Sequence, residues 1–474
     1  MKRYHRAVRV RVAAGVIVLV ALAAIVHTWT IFSQTVDEPA HVAAGAEWWS
    51  GSYALDPQHP PLARMFVAIG PLLRGARYAP APHWVLAGNA MLYGAGNYLA
   101  TLASARAGTL VFFLLGCWVV FAWTRRLFGD VAGLAALAFF AWQPTVLGHA
   151  GLATTDMAAA STVAAALYAA AFAHPAIAGV AIAAAVASKF SAIVFLPLAI
   201  LAVARHRSMK DAAIAIVVAI LGVLLVYRFD AGALLRGIED LRAHNREGHP
   251  SYLFGELRRE GWWYYFPIAL WFKSTLVLLV AFAAGIRKRT LPLVAAFAVI
   301  LGIAMLSRIS IGVRHVLPLY PLMAIIAAYG LTRMKREIAI ALVLAQFGAF
   351  VLAHPDHLAY FNVTAGRDPS RILLDSNLDW GQDLLRLEKA CARQKVDRLS
   401  LAYFGSADLT KHHLPPFTRL RPFTPTYGWI AISQMHLKDL GARNRPRGAY
   451  DWLLKEPPVE RVGKSILLYR VQPP

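Results

Sequence analysis

An aspartate and a glutamate, Asp37-Glu38, stand just beyond an apolar stretch running from Val12 to Phe32, and His41 follows Asp37 by four residues. On a helix that spacing puts Asp37 and His41 on one face. A carboxylate held there at a membrane surface can act as general base toward an acceptor hydroxyl or amine. Asp-Glu-Pro also fits a helix start, with acids at the positive end of the helix dipole. Asp156, preceded by Thr154-Thr155, stands where another apolar stretch begins and could equally be a helix cap. Asp37, Glu38, His59 and Asp156 are all expected on one side of the membrane at similar depth. Acidic residues are scarce elsewhere in the apolar part, so this convergence favours a site.

Cations complete the set. Lys189 lies inside an apolar stretch, where a lysine is costly unless it is paired or faces water. Lys273, within Trp271-Phe272-Lys273-Ser274, and Arg314-His315 fall near expected outer helix ends. Together these groups could bind a phosphate or pyrophosphate and stabilise it as negative charge develops on a leaving group. Taken singly, either of the last two reads better as an interfacial anchor of a helix end. The spacing of Asp37, Glu38, His41 and His59 matches no strong zinc pattern, which leaves a divalent metal open without requiring one. There is no Gly-rich phosphate loop and no CxxC pair, so no cofactor is expected and nucleotide-driven chemistry is disfavoured.

The elements that must position these residues are mostly membrane helices. Of 474 residues, 58% are hydrophobic and only 16% charged, with mean hydropathy +0.50, too apolar for a surface facing water alone. The net charge of +22 does not point to nucleic acid, because the basic residues cluster between apolar stretches: Arg125-Arg126, Arg205 to Lys210, Arg287 to Arg289 and Arg333 to Arg336. Spans are expected at about 106–123, 131–149, 156–173, 177–187 with 190–204, 212–227, 265–284, 291–306, 315–330 and 337–354. The first stretch, after basic Lys2, Arg3, Arg6, Arg9 and Arg11, reads as a retained anchor. The pair at 177–204 satisfies the positive-inside rule only as two half-helices meeting at Ser188-Lys189-Phe190. This gives about eleven hydrophobic segments, with the N-terminus cytoplasmic. Loops 34–105 and 228–264 and everything after about 354 then lie outside. In the first loop Leu62 to Leu73 is too short to span and is expected along the interface.

The expected fold is therefore an all-α polytopic membrane protein, residues 1–355, followed by a small α/β extracytoplasmic domain, residues 356–474. In that domain 379–391 reads as a helix, and 399–404 and 465–471 as strands. Cys117 and Cys391 imply no disulfide framework.

Asp37-Glu38 after the first span, Thr154-Thr155-Asp156, Ser188-Lys189 in a broken segment, and Arg314-His315 ahead of Pro318 and Pro321 resemble the lipid-linked-sugar glycosyltransferases of the GT-C fold. The specific likeness is to family 39, with protein O-mannosyltransferases and the aminoarabinose transferase of lipid A, over roughly residues 12–354. A bacterial subgroup also shares His59-Pro60-Pro61, the 261–267 run Gly-Trp-Trp-Tyr-Tyr-Phe-Pro, 358–362, and Asp375 to Asp383. The resemblance implies inverting transfer from a polyprenyl-phosphate sugar outside the cytoplasm, in a bacterial inner membrane. It implies Asp37 as base or acceptor-orienting carboxylate, with Glu38 and Asp156 as supporting acids. Lys189, Lys273, Arg314 and His315 would be ligands of the donor phosphate. His41, His59, Asn377, Asp379 and Trp380 are candidate acceptor or sugar contacts through hydrogen bonding and stacking. The rivals are a flippase of lipid-linked sugars, against which no inverted repeat is visible, and a non-catalytic envelope scaffold.

Overall fold

The computed structural model describes residues 2–204, 208–440 and 446–473, with no side chains described for residues 2–4 and 6. Arg205-His206-Arg207, used above to orient the chain, therefore lie outside the described residues, as do the side chains of Lys2, Arg3 and Arg6.

Apolar helices dominate. Among the described residues four are long and apolar enough to cross a membrane: Ala7–Thr28, Tyr98–Phe128, Met209–Val226 and Arg336–Ala353. Two bent pairs would make six, with Pro61–Leu73, Asp156–Phe172, Pro175–Ser188, Ala192–Val203 and Leu319–Leu331 as shorter apolar helices. The expected straight span at 265–284 is instead Tyr265–Lys273 followed by Leu276–Gly285, bent by 114°. The reason is local: the Thr275 side chain accepts from Leu278 N at 3.2 Å and starts a new helix inside the apolar run. The span at 131–149 is likewise broken, by 64°, at Gln143 ahead of Pro144.

The break expected at Lys189 is present. Pro175–Ser188 ends there with Lys189 extended, and Ala192–Val203 begins three residues later. Close packing of the bundle relies on small residues, as it must where lipid supplies no hydrophobic drive between helices. A Cβ at Gly285 would overlap the Ile326 carbonyl, and one at Gly179 would crowd Ala215 and Val218.

The long loop expected at 34–105 is itself helical, with Glu38–Trp49, Pro61–Leu73 and Trp84–Gly94. Tyr98–Phe128 starts eight residues before the expected span because Asn97 caps it, accepting from Ala100 N at 3.0 Å. Pro61–Leu73 packs between Glu38–Trp49 and Tyr98–Phe128.

The C-terminal part holds a five-stranded sheet in the order Phe417–Arg419, Leu399–Ala402, Gly428–Ser433, Ile466–Val471, Glu460–Val462. The first three strands run parallel and the last two pairings are antiparallel. Its helix is Leu384–Arg393, shorter than the expected 379–391. Residues 379–382 are held out of it by a left-handed Gly381 and by backbone pairing with residues 33–36, described below. Both cysteines are free and buried.

Candidate active site

The segment that delivers Asp37 is clamped between two parts of the chain. On one side the C-terminal segment pairs with it: Ser33 N donates to Gln382 O at 3.0 Å and Val36 N to Trp380 O at 2.9 Å. Ser406 Oγ adds a bond to Thr35 O at 3.1 Å. On the other side is a buried ion pair. Arg106 Nε and Nη2 donate to Glu38 Oε1 and Oε2 at 2.7 and 2.8 Å, and the same guanidinium reaches the carbonyls of Phe32 and Ser33. Glu38 also accepts from the backbone nitrogens of Thr35, at 2.7 Å, and Ala153, at 2.9 Å. With its side chain 0% exposed and both oxygens engaged, Glu38 is a structural clasp. The expectation that it acts as a supporting acid at the reacting centre does not fit this geometry.

Asp37 is different. It precedes the Glu38–Trp49 helix as N-cap, yet its side chain makes no cap bond. Its Oδ2 instead accepts from Arg314 Nη1 at 2.7 Å. That nitrogen lies 3.9 Å from Asp156 Oδ2, and Asp156 Oδ1 accepts from Lys189 Nζ at 2.7 Å. The four side chains form a ladder of alternating charge. Its middle members are the deeper ones, with Asp156 2% and Arg314 11% exposed, against 24% for Asp37 and 16% for Lys189. The Arg314 guanidinium carbon lies over the Trp380 ring, 4.4 Å from its centre. The turn Val313–Val316 that carries Arg314 is fixed from the same segment: Asn377 Oδ1 accepts from Val313 N at 3.0 Å, and Ser376 Oγ donates to Ile311 O at 2.9 Å.

Several buried polar atoms around this ladder have no hydrogen-bond partner: Arg314 Nε, Asp156 Oδ2, Thr154 Oγ1, His149 Nδ1 and His315 Nε2. Such atoms are rare in folded proteins, and several of them gather around the ladder.

Lys273 does not belong to the ladder. Its Nζ donates to Leu358 O at 2.8 Å and Asn377 O at 2.6 Å and sits 4.5 Å from the Phe361 ring centre. These contacts tie the bundle to the C-terminal segment. Asn377 is 0% exposed and spends its amide on Val313 N, Tyr265 Oη and Leu374 O. Asp379, also buried, accepts from Met435 N at 3.0 Å and Gly381 N at 3.3 Å. Burial without a cation pushes its carboxyl well above the usual range. Both side chains are buried and bonded within the protein, where they hold neighbouring backbone. Trp380 is the platform under Arg314.

His41 and His59 lie together beside the ladder, their rings 5.2 Å apart and edge-on, with His59 Nδ1 2.8 Å from Asp56 Oδ2. Among the described residues, no three His, Cys, Asp or Glu side chains are grouped as a metal ion would need. Sequence reasoning missed Arg106, His149 and Arg64. Arg106 could have been found by the logic that found Lys189, since an arginine well inside an apolar helix needs a partner.

No protein-family model matches this chain, and no curated protein matches it either. Solved structures do. ArnT from Cupriavidus metallidurans in the apo state superposes with a TM-score of 0.52 at 17% identity, over 73% of this chain and 64% of that one. The same protein bound to undecaprenyl phosphate gives 0.51 at 14% identity, over 97% of this chain and 99% of that one. The likeness is one of fold: this chain has the GT-C architecture, an all-α membrane bundle with a small α/β domain at its C-terminus.

Two outcomes follow from the buried contacts. Glu38→Ala strands the Arg106 guanidinium in the interior and should cost about 3–5 kcal/mol, read as a large fall in unfolding temperature in detergent. Lys273→Met should make the 356–380 segment more sensitive to protease while leaving the affinity for a polyprenyl phosphate unchanged; a loss of that affinity in folded protein would return Lys273 to the site.

Proposed function

We propose that this chain is a membrane glycosyltransferase of the family 39 kind, which moves a sugar from a polyprenyl phosphate to an acceptor on the extracytoplasmic face, with inversion. The observation that carries the reading is the ladder Asp37–Arg314–Asp156–Lys189, with unpartnered polar atoms around it, on a GT-C fold. The bacterial inner membrane is the proposed location, with the N-terminus cytoplasmic and the C-terminal domain outside. The undecaprenyl phosphate in the ArnT structure supports a lipid phosphate as the donor's carrier.

The chemistry follows from the charges. A glycosyl phosphate breaks its C1–O bond as negative charge builds on the departing phosphate, and fixed cations lower that barrier most in a site closed to water. Arg314 and Lys189 are the two cations so placed. Their carboxylate partners keep them in position before the donor arrives and make the cluster neutral, so an anion need not enter a field already committed to another ligand. Arg314 can present its unpartnered Nε edge to phosphate oxygens while Nη1 keeps Asp37. Lys189 joins with the ammonium protons that Asp156 does not take. Asp37, the most exposed acid of the ladder, faces the acceptor as its base or orienting carboxylate. No nucleotide is needed, because the phosphate ester already activates the sugar.

The test is transfer of labelled sugar from polyprenyl-phosphate donors in membranes bearing wild type or Asp37→Asn at matched expression. The variant should lose roughly 100-fold or more of the rate. Equal consumption by both would remove Asp37 from the mechanism. Lipid-linked sugar changing leaflet with no donor consumed would favour a flippase.

A further inference from the structure

Outside the ladder stands a second pair of groups with the geometry of an acid–base device. His59 Nδ1 lies 3.0 and 2.8 Å from the two oxygens of Asp56. With Nδ1–H donated to a carboxylate, the lone pair of the ring is on Nε2, as in any imidazole oriented for proton abstraction. The His59 side chain is 28% exposed while Asp56 is 9% exposed, so the ring reaches outward from a buried anchor.

The loop is built to hold this pair. Arg64 on the Pro61–Leu73 helix, 5% exposed, donates to Asp56 O at 2.9 Å and also to His59 O, and its Nη1 lies 3.6 Å from Asp56 Oδ2. Gln58 Nε2 donates to Asp56 Oδ1 at 3.2 Å and its Oε1 meets His244 Nδ1 at 2.9 Å, on the Ala231–Glu247 helix. Asp56 itself is left-handed, φ +54°, a conformation that costs a non-glycine residue free energy and persists where the surroundings fix it.

Four elements bring ionisable groups to the pair: Asp37 just before and His41 within Glu38–Trp49, Arg64 on Pro61–Leu73, His244 on Ala231–Glu247, and His315 beside Arg314. Burial and the neighbouring His59 push His41 down to about 4, with Asp37 and Asp56 pulling weakly the other way, so His41 stays neutral. Burial alone would raise Asp56, but His59 and Arg64 more than offset it and hold the carboxyl well below its usual range. Of the three groups, His59 is the most exposed, and its Nδ1 is held by Asp56.

We propose that His59, oriented by Asp56, is the group that accepts the acceptor's proton, and that Asp37 orients the acceptor hydroxyl. This rests on the glycosyl-transfer reading. Asp37 Oδ2 is already engaged by Arg314 at 2.7 Å, which fixes the carboxylate in place to orient a hydroxyl. In the step, the acceptor oxygen forms its bond to the anomeric carbon. The bond from that carbon to the phosphate oxygen breaks, and its electron pair leaves with the lipid phosphate. The hydroxyl proton passes to His59 Nε2. Asp56 balances the imidazolium, which releases the proton to solvent from its exposed face. His59 is then catalytic and Asp56 a positioning residue.

The experiment is the pH–rate profile of polyprenyl-phosphate release from a polyprenyl-phosphate sugar, in membranes carrying the full chain as wild type, His59→Gln, His59→Arg or Asp56→Asn. Wild-type rate should fall on the acidic side as the base is protonated. His59→Gln should lose about 100-fold in kcat with donor KM unchanged and should lack that acidic limb. His59→Arg should be no better. Asp56→Asn should keep the limb but move it to lower pH, because the imidazolium has lost its counter-charge. Activity retained in His59→Arg, or a wild-type rate that falls as pH rises, would overturn the proposal and make His59 a cation for the phosphate. If a variant fails to fold, the wild-type profile alone still gives the sign. Release by no form at any pH would instead sink the glycosyl-transfer reading itself.

Discussion

Arg314 is the point on which the site depends. Its guanidinium joins Asp37 to Asp156, and through Asp156 to Lys189, while its face rests on Trp380. Each of these partners comes from a distant part of the chain, so the position of one planar cation sets the geometry of all of them. An arginine suits this task because its fork is rigid and its flat face can stack while its edge forms hydrogen bonds. A lysine in the same place would keep the charge and lose the plane.

The same contact ties the C-terminal part of the chain to the ladder. Trp380 supplies the platform, Asn377 and Ser376 pin the turn that carries Arg314, and residues 380–382 bond to the backbone of the segment leading to Asp37. The domain's conspicuous Asn and Asp residues point inward to hold this arrangement. The Lys273 ammonium closes the joint from the membrane side. Glu38 and Arg106 do the corresponding work within the bundle, where an unpaired member would be expensive. Asp37 is thus set between two buried supports, one in each part of the chain.

Part of this was legible in the sequence. The broken segment at Lys189 followed from charge placement, because only two half-helices there keep the basic loops on one side. Asp37, Asp156, Lys189 and Arg314 were each visible as charges at apolar boundaries. What could not be read was how the charges pair. Lys273 looked like a phosphate ligand because its partners are backbone carbonyls 85 and 104 residues away, and backbone carbonyls leave no mark in composition. Glu38 and Asp37 are adjacent in sequence, and only the direction of the first helical turn sends one to Arg106 and the other to Arg314. The bend at Ser274 had a local signal, a threonine cap inside an apolar run, that hydropathy averaging hides.

The most direct test of the role given to Arg314 is a cryo-EM structure of the protein in lipid with a bound polyprenyl phosphate, read for the position of the phosphorus. The expected result places the phosphate within hydrogen-bond reach of Arg314 and Lys189, with Trp380 still stacked beneath the guanidinium and Asp37 beside the open face. A phosphate bound elsewhere, with the Asp37–Arg314–Asp156–Lys189 ladder unchanged, would contradict it and leave the ladder a purely structural ion network.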